Sequence, residues 1–313
     1  MAQPVVAAVL FAATGLTPVE AESPNAERIE DLYWFVSFWA ALVLLAVAVP
    51  LTIFVVRYRS RGRDRTVEGP QIHGSTRLEI AWTLVPVVIL LFVVAFTFYK
   101  LPGITLEDEA QAGDLRIRVE GRQFYWQYRY PNGVIAIDRL VAPQNRLVLL
   151  EITAPENDVN HSYWVPGVGG KFDAIPGRTT ETGFQADEVG IYEGQCAEFC
   201  GIQHTEMLAE IEVKPADEFD SWLEEQAQAQ EAGSSDLGEQ TFAGACAKCH
   251  GPEGQGLIGP EFTSANTADA EAVAQVVRNG RGRMPAIGEE WEDFHMEALT
   301  DYLRERFGEE GES

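Results

Sequence analysis

Cysteine is scarce in this sequence: there are four among 313 residues, alongside five histidines and four methionines. So few thiols exclude a disulfide framework, which is typical of short secreted chains rich in cysteine. All four cysteines fall in two short clusters, Cys196 with Cys200 and Cys246 with Cys249. Three histidines lie in or near these clusters, namely His161, His204 and His250. Soft ligands concentrated in this way predict metal chemistry.

Basic side chains are also few, 23 Lys and Arg against 48 Asp and Glu, which gives a formal net charge of −25. The imbalance lies entirely after residue 100, where 40 acidic residues accompany 15 basic ones. Such a surface excludes nucleic acid as a partner. It favours a basic protein partner, which an acidic surface steers into contact. A solvated acidic surface suited to a saline medium is an equally good interpretation, and the two are compatible.

Charge is absent altogether from two long runs, residues 32–56 and residues 80–99. Each run is long enough to cross a hydrocarbon core of about 30 Å as a helix. We therefore predict a transmembrane hairpin in a lipid bilayer, with helices at about 32–57 and 79–100. Five arginines crowd the connecting loop. The positive-inside rule therefore places that loop in the cytoplasm and everything after residue 100 outside it. The alternative is a buried hairpin in a soluble core.

An apolar segment near the N-terminus, VVAAVLFAATGL, is similar to the hydrophobic region of a signal peptide. A signal peptide has basic residues before its hydrophobic region, however, and no Lys or Arg precedes this segment. Residues 1–31 are therefore expected either to be cleaved or to remain as a short extracytoplasmic segment.

Beyond residue 100 the hydrophobic period changes from that of helices to that of strands. The runs LRIRVE, RLVLLEIT and LAEIEV alternate in polarity or are rich in β-branched residues. About 100 residues of this kind predict a β-sandwich or barrel over residues 101–215. Residues 216–236 are expected to form a short amphipathic helix and a flexible linker, the linker covering 227–236. Residues 237–313 are expected to form a small all-α domain.

The motif CAKCH in the last domain has the C-x-x-C-H spacing of covalent c-type haem attachment. Cys246 and Cys249 would bind two vinyl groups of one porphyrin, and His250 would be the proximal iron ligand. Met284 is the preferred second axial ligand, because Met296, the other downstream methionine, lies on a predicted helix. A thiol redox pair or half of a zinc site would use the same cysteines. Neither a βαβ pattern nor a second cysteine pair accompanies the motif, which disfavours both.

The segment CAEFCGIQHTEM places Cys196, Cys200, His204 and Met207 within twelve residues. Two thiolates and an imidazole suit copper or zinc, and the spacing alone does not choose between these metals. His161 stands upstream among aromatic residues. A lone histidine there is usually part of the core, but the downstream cluster makes this one a further candidate ligand.

Several segments together resemble a known family. DVNHSYWVP, KFDAIPGR and GQCAEFCGIQHTEM are similar to the copper-A domain of cytochrome c oxidase subunit II, within a match over about residues 30–215. Residues 237–307 resemble class I cytochromes c, and the combination is that of a caa3-type oxidase. The resemblance implies a multidomain membrane protein with a two-helix transmembrane hairpin, a cupredoxin-like β-barrel and a small all-α cytochrome c domain.

The resemblance also implies a binuclear copper-A centre, in which two cysteines bridge the coppers and each copper has its own histidine. Its ligands would be His161, Cys196, Cys200, His204, Met207 and the backbone carbonyl of Glu198. The Glu198 side chain would help to hold Mg²⁺ at the boundary with subunit I, where Asp173 and Arg178 would also lie. Glu79, at the start of the second membrane helix, would mark the entrance of a proton path. A charge that simply ends the helix explains Glu79 equally well.

One segment departs from the family pattern. GRQFYWQYRYP stands where the family usually has QWYW. Phe124 thus replaces the tryptophan that receives electrons from soluble cytochrome c, whereas Trp126 is retained. Arg129 stands where an acidic residue is common, and both differences disfavour docking of a soluble cytochrome on the copper domain. We therefore expect electrons to pass from a donor to haem c, then to copper-A and subunit I, with the haem domain tethered at a millimolar effective concentration.

The predicted function is electron input to a proton-pumping haem–copper oxidase in a bacterial cytoplasmic membrane. Its partners would be oxidase subunits I and III and a cytochrome c or other respiratory donor. Reduction of O2 would occur in subunit I, so no catalytic residue is expected in this chain. One alternative is a copper-A subunit of a nitric oxide reductase. Another, from a different class, is a membrane-anchored copper-binding or thiol redox protein.

Overall fold

The computed structural model describes residues 18–59, 62, 71–104, 114–233 and 236–308. The chain forms two compact units, one of which is Arg28–Gly103. The other combines Met1–Glu27 with Ile104–Ser313. The predicted cytoplasmic loop falls mostly outside the described residues, because Arg61, Arg63 and Arg65 are not among them.

Two long apolar helices make up the hairpin unit, α1 at Pro24–Tyr58 and α2 at Thr76–Lys100. Both are long and apolar enough to cross a membrane, and their most apolar stretches are not buried within the chain. Aromatic rings join them, since Phe35 stacks on Phe96 with ring centroids 4.1 Å apart. Helix α1 begins well before the predicted residue 32, because the charged segment NAERIED is rich in residues that favour helix.

Ten short strands form the β domain of the second unit. They are β1 (Leu115–Arg122), β2 (Tyr125–Arg129), β3 (Ile135–Ile137), β4 (Arg139–Pro143), β5 (Val148–Thr153), β6 (His161–Trp164), β7 (Phe172–Ala174), β8 (Thr180–Phe184), β9 (Gly190–Cys196) and β10 (Leu208–Lys214). One sheet has the order β3-β2-β1-β5-β8 and the other β4-β10-β9-β6-β7. Pairs β1/β5 and β4/β10 are parallel, and the other paired strands are antiparallel. The predicted cupredoxin-like β fold is confirmed.

Apolar side chains from both sheets fill the β domain, as the alternation of the strands requires. In β1, Ile117 and Val119 are fully buried, whereas the intervening Arg118 is exposed. Trp126 of β2 is fully buried in the same core. The core also includes Cys196, Cys200 and Met207. These three candidate metal ligands are therefore held by the packed interior, although the loop between them is partly exposed.

The last part of the N-terminal segment packs against the β domain. The Ser23 hydroxyl donates to Val168 O over 2.8 Å, and the Asn25 side-chain amide donates to Gly183 O over 3.1 Å. Both side chains are buried. Removal of the whole segment 1–31 would strip these hydrogen bonds from the β domain, and cleavage nearer the N-terminus stays a prediction.

Helix α3, at Ala216–Glu231, follows the last strand. Phe219 and Trp222 on this helix pack against Tyr130 of the β domain. The prediction of a flexible linker over 227–236 is wrong for its first half, which is helical. Ala, Gln and Glu favour helix, and buried Gln230 bonds to the backbone of strand β3.

Within the described residues, the C-terminal domain is helical. Its elements are α4 (Leu237–Thr241), a π-helical turn (Phe242–Cys246), α5 (Ala247–His250), α6 (Ser264–Thr267), α7 (Ala270–Asn279) and α8 (Asp293–Phe307). Leu237, Phe242 and Leu299 are among the buried residues of its core. The predicted small all-α domain is confirmed.

Candidate metal and haem sites

The ligand segment connects the ends of two paired strands. Cys196 is the last residue of β9, Met207 directly precedes β10, and Cys196 N–H donates to Met207 O over 2.9 Å. His204 begins a 3-10 turn between them. Gly201 has φ of +135°, and a Cβ there would lie 2.9 Å from the Phe124 ring. The turn therefore requires glycine at this position.

The donor atoms of all the predicted copper ligands come together here. Cys196 Sγ lies 4.0 Å from Cys200 Sγ, 3.9 Å from His161 Nδ1 and 3.2 Å from Glu198 O. Cys200 Sγ lies 3.6 Å from His204 Nδ1 and 3.7 Å from Met207 Sδ. Each thiol therefore has one imidazole of its own and one further donor, and both thiols lie between the two imidazoles.

The two thiols differ in acidity. A hydrogen bond with Cys200 lowers the pKa of Cys196 far below that of a free thiol, and the same bond raises the pKa of Cys200. Burial alone would lower the pKa of His161, but hydrogen bonds to Asp158 and Cys196 outweigh it and raise the pKa.

Asp158 orients His161 in the manner of a carboxylate behind a metal-binding histidine. His161 Nε2 lies 3.2 Å from Asp158 Oδ1, which leaves Nδ1 facing Cys196. Such a partner fixes the tautomer and raises the basicity of the ligating nitrogen. Asp158 was not predicted from the sequence, although its position three residues before His161 was a usable signal.

The residues present fit a binuclear copper site. Two thiols and two imidazoles are soft or borderline ligands that suit copper. Ligand atoms of His161, Cys196 and Cys200 all lie within 4.8 Å of one another, and all three residues are buried. A single tetrahedral ion would leave the Met207 sulfur and the Glu198 carbonyl without a role, whereas two metals would use both.

The residues assigned to the subunit I boundary are placed differently from the copper ligands. The side chains of Glu198, Asp173 and Arg178 are exposed. Asp173 lies on β7 beside Ser162, next to His161 along β6. Glu79 lies in the first turn of α2 and is exposed. Roles for these four residues in Mg²⁺ binding or proton entrance stay predictions.

The haem-attachment motif runs from the π-helical turn into α5. All four cysteines of the chain are free thiols. Burial raises the pKa of Cys246 to about 12 and also raises that of Cys249. His250 Nδ1 donates to Pro260 O over 2.7 Å, and Nε2 makes no hydrogen bond to the described part of the chain. This arrangement fits haem, because it fixes the ring and leaves Nε2 for iron.

Glycine is also required beside the proximal histidine. A Cβ at Gly259 would lie 2.7 Å from the His250 ring, closer than any real side chain could stand. Met284 is half-buried beside the core cluster that contains Cys246. Met296 is buried on α8 within that core, as expected for a packing residue. Ligation by Met284 stays a prediction.

The aromatic segment lies inside the protein rather than on a free surface. Phe124 is only 8% exposed and Trp126 is fully buried. The Trp126 ring meets the His161 ring edge-on, with centroids 6.0 Å apart. Arg129, which departs from the family pattern, has a partner on the C-terminal domain, since its guanidinium lies 2.7 Å from the Glu292 carboxylate.

Fold and site together define a class of protein with two long apolar helices, a two-sheet β domain that holds a buried Cys/His cluster, and a helical domain with a C-x-x-C-H motif. Sequence comparisons specify the family. The family model described as "Cytochrome C oxidase subunit II, transmembrane domain" matches residues 12–101. The corresponding periplasmic domain matches residues 134–214. "Cytochrome C oxidase, cbb3-type, subunit III" matches residues 234–303. These matches fall in turn on the hairpin, on the β domain from β3 onward and on the helical domain.

One relative is similar to this chain along nearly its whole length, and others are similar to part of it. "Cytochrome c oxidase subunit 2" of Alkalihalophilus pseudofirmus is 33% identical over 92% of this chain and 90% of its own length. "Probable cytochrome c oxidase subunit 2" of Rickettsia bellii is 33% identical over 64% of this chain and 80% of its own. The solved periplasmic domain of subunit II from Bradyrhizobium japonicum is 34% identical, with a TM-score of 0.36, over 38% of this chain and 96% of that one. The chain belongs to the cytochrome c oxidase subunit II family.

Family membership establishes several of the expectations. The chain is a subunit of an oxidoreductase with an electron-transport function. It has an extracytoplasmic domain anchored by two apolar helices, and it works with other oxidase subunits. Its domains imply copper and haem binding.

Proposed function

We propose that this chain accepts electrons from a cytochrome c or similar donor at its own haem c and passes them through a binuclear copper-A centre to subunit I. Subunit I would then reduce O2 to water in steps coupled to proton pumping. The observation that supports this most is the convergence of six donor groups at one end of the β core. They come from His161, Cys196, Glu198, Cys200, His204 and Met207.

Each ligand residue has a role in holding the copper pair. Bound copper would supply reversible one-electron chemistry. Cys196 and Cys200 would bridge the metals, while His161 and His204 would each bind one. Because the thiols lie in a packed core, the ligands cannot move far when the charge of the site changes. Asp158 would hold the His161 ring in one orientation.

The haem side uses the C-terminal domain. Cys246 and Cys249 would form the two thioether bonds, and His250 would bind iron through Nε2. Pro260 O holds the His250 ring through Nδ1. Met284 would be the second axial ligand. A His/Met pair raises the haem potential relative to other ligand sets, which suits a haem that takes electrons from a respiratory donor.

The exposed boundary residues fit a shared interface. Glu198 offers its carbonyl to the copper site and its exposed carboxylate to a neighbour. We propose that this carboxylate binds Mg²⁺ at the contact with subunit I, beside Asp173 and Arg178, and that Glu79 lies near a proton entrance. Subunit III would complete the assembly in a bacterial cytoplasmic membrane, with the copper and haem domains outside.

The order of electron transfer is tested by rapid mixing of reduced soluble cytochrome c with the full chain loaded with copper and haem. Copper reduction should be fast in the natural chain. It should be lost in a haem-free double variant, Cys246→Ala with Cys249→Ala. Adding Phe124→Trp to that variant should not restore it, because the segment lies inside the protein. Fast copper reduction without haem, accelerated further by Phe124→Trp, would show direct docking on the copper domain instead.

A further inference from the structure

The hydrophobic core of the cytochrome domain is completed by the copper domain. Tyr125 of β2 and Ile135 and Ile137 of β3 are buried, and they belong to the same cluster as Phe242 and Cys246. These three side chains lie on the face of β2 and β3 opposite the copper domain's own core. Burial of this kind resembles the interior of one domain rather than a transient contact.

Buried hydrogen bonds accompany this apolar contact. The Tyr125 hydroxyl donates to Ile287 O over 3.2 Å and accepts from Trp291 Nε1 over 3.0 Å. Gln230 bonds to both the N–H and the C=O of Ile135, at 3.0 and 2.7 Å. Gln230 belongs to α3 and therefore covers the free edge of β3 beside the contact rather than across it. Separation of the cytochrome domain would leave the Tyr125 hydroxyl, Ile287 O and Trp291 Nε1 to be resolvated.

The haem-attachment turn itself contacts the copper domain. Lys248, between the two haem cysteines, donates to Phe124 O over 2.9 Å and to Asp138 Oδ2 over 2.6 Å. The other carboxylate oxygen of Asp138 accepts from Trp126 N–H over 2.9 Å. A Cβ at Gly244, in the same turn, would lie 2.4 Å from Ile137 Cγ2. The turn therefore approaches β3 as closely as glycine permits.

A second connection runs from the copper ligand loop. Gln203, directly before His204, donates from its side-chain amide to Lys248 O. The side chain of Gln123 donates to Cys200 O over 2.6 Å, which fixes the other end of that loop. One side-chain hydrogen bond thus joins the loop that carries the copper ligands to the turn that carries the haem cysteines.

We propose that the cytochrome domain is permanently docked on the outer face of β2 and β3, and that Lys248 and Gln203 are positioning residues for electron transfer between the two centres. The positioning role rests on the proposed function; the docking does not. Electron transfer would then occur in a fixed complex, without the search by a tethered domain that the sequence predicted. Two ion pairs also join the domains, Arg122–Glu290 at 3.3 Å and Arg129–Glu292 at 2.7 Å.

Docking is tested by hydrogen exchange on the full haem-bearing chain in detergent, without copper. Residues 134–138 should be protected, and the Ile137 amide among them reports the docking, because it donates to Gln240 Oε1 of the cytochrome domain over 3.4 Å. Lys248→Met removes a charge-assisted contact and should speed exchange at 134–138 about tenfold, with residues 148–153 of β5 unchanged. Arg304→Met removes an equal charge from an exposed helix face of the same domain. It should change the exchange rate neither at 134–138 nor at 148–153. Immediate exchange at 134–138 in the natural chain, or no effect of Lys248→Met, would overturn the docking.

Positioning is tested in the copper-loaded chain by photoreduction of haem c, with the copper absorption followed in time. The rate in the natural chain should not depend on added glycerol, because no domain has to diffuse. It should fall in Gln203→Leu while exchange at 134–138 stays slow. A rate that drops in proportion to viscosity, or one that Gln203→Leu leaves unchanged, would overturn the positioning role. Absence of any copper reduction, with 134–138 still protected, would refute the proposed function and uphold the docking.

Discussion

Tyr125→Phe is the substitution whose effect on the free energy of unfolding the structure defines most closely. Tyr125 is fully buried, and its hydroxyl serves both Ile287 O and Trp291 Nε1 across the domain contact. Phenylalanine keeps the ring and its edge-on contact with Trp291, where the centroids are 6.2 Å apart. The change therefore removes two hydrogen bonds and leaves a buried indole N–H and a buried carbonyl without partners.

Each buried group left unpaired costs about 1–3 kcal/mol, so the expected loss is about 3 kcal/mol for the pair. The assay is urea unfolding of the full chain in detergent, followed by tryptophan fluorescence. With a urea dependence of about 3 kcal/mol per M, the midpoint should fall by about 1 M. Burial holds the pKa of Tyr125 well above its usual value, so the effect should not change between pH 6 and pH 9.

Tyr192→Phe is the matched control. Its hydroxyl donates to Glu188 O over 2.8 Å near the surface. Water can take the place of the lost hydroxyl there, so the free energy of unfolding should change by no more than about 0.5 kcal/mol. Equal effects of Tyr125→Phe and Tyr192→Phe would refute the claim that the Tyr125 hydroxyl stabilises a dry contact between the domains. A double variant with Trp291→Phe should cost less than the sum of the single changes, because the two residues share one hydrogen bond.

Three further results are expected. Asp158→Asn should weaken copper binding about 10- to 100-fold in a competition titration, because His161 loses the carboxylate that orients it; unchanged affinity would contradict that role. Met284→Leu should abolish the sulfur-to-iron absorption band and Met296→Leu should keep it, whereas the reverse would exchange their roles. Burial lowers the pKa of His295 to about 3, with Glu292 opposing and Arg122 and Arg129 adding to the shift. Stability should therefore fall by about 2 kcal/mol between pH 7 and pH 5, as the unfolded state alone takes up the proton, and His295→Gln should remove that part of the slope in pH-dependent unfolding.

The ligand positions could be predicted from the sequence because the chemistry is local. Cys196, Cys200, His204 and Met207 lie close together in the sequence, whereas His161, on β6, was assigned to the same site through the family resemblance. The haem motif is local in the same sense. Hydropathy also predicted the hairpin, because a membrane helix needs a long uncharged run.

The contact between the domains could not be predicted, because its partners lie far apart in the sequence. Lys248 donates a hydrogen bond to Phe124 O, and Gln203 donates one to Lys248 O. No sequence motif predicts either contact. Tyr125 and Ile137 point away from the core of their own sheet, and alternation assigns that face to solvent. The cytochrome domain covers it instead. Residues 227–231 of the predicted linker are helical for a related reason, since Gln230 gains its buried partner Ile135 only when α3 packs on the β domain.

Electron entry through copper-A is tested most directly by the metal and haem content of the full chain after copper reconstitution, together with its electron paramagnetic resonance spectrum. We expect two coppers per chain that share one unpaired electron, and one covalently bound haem. Zinc, or a single ordinary copper, in place of the copper pair would show that the loop from Cys196 to Met207 is not a copper-A site.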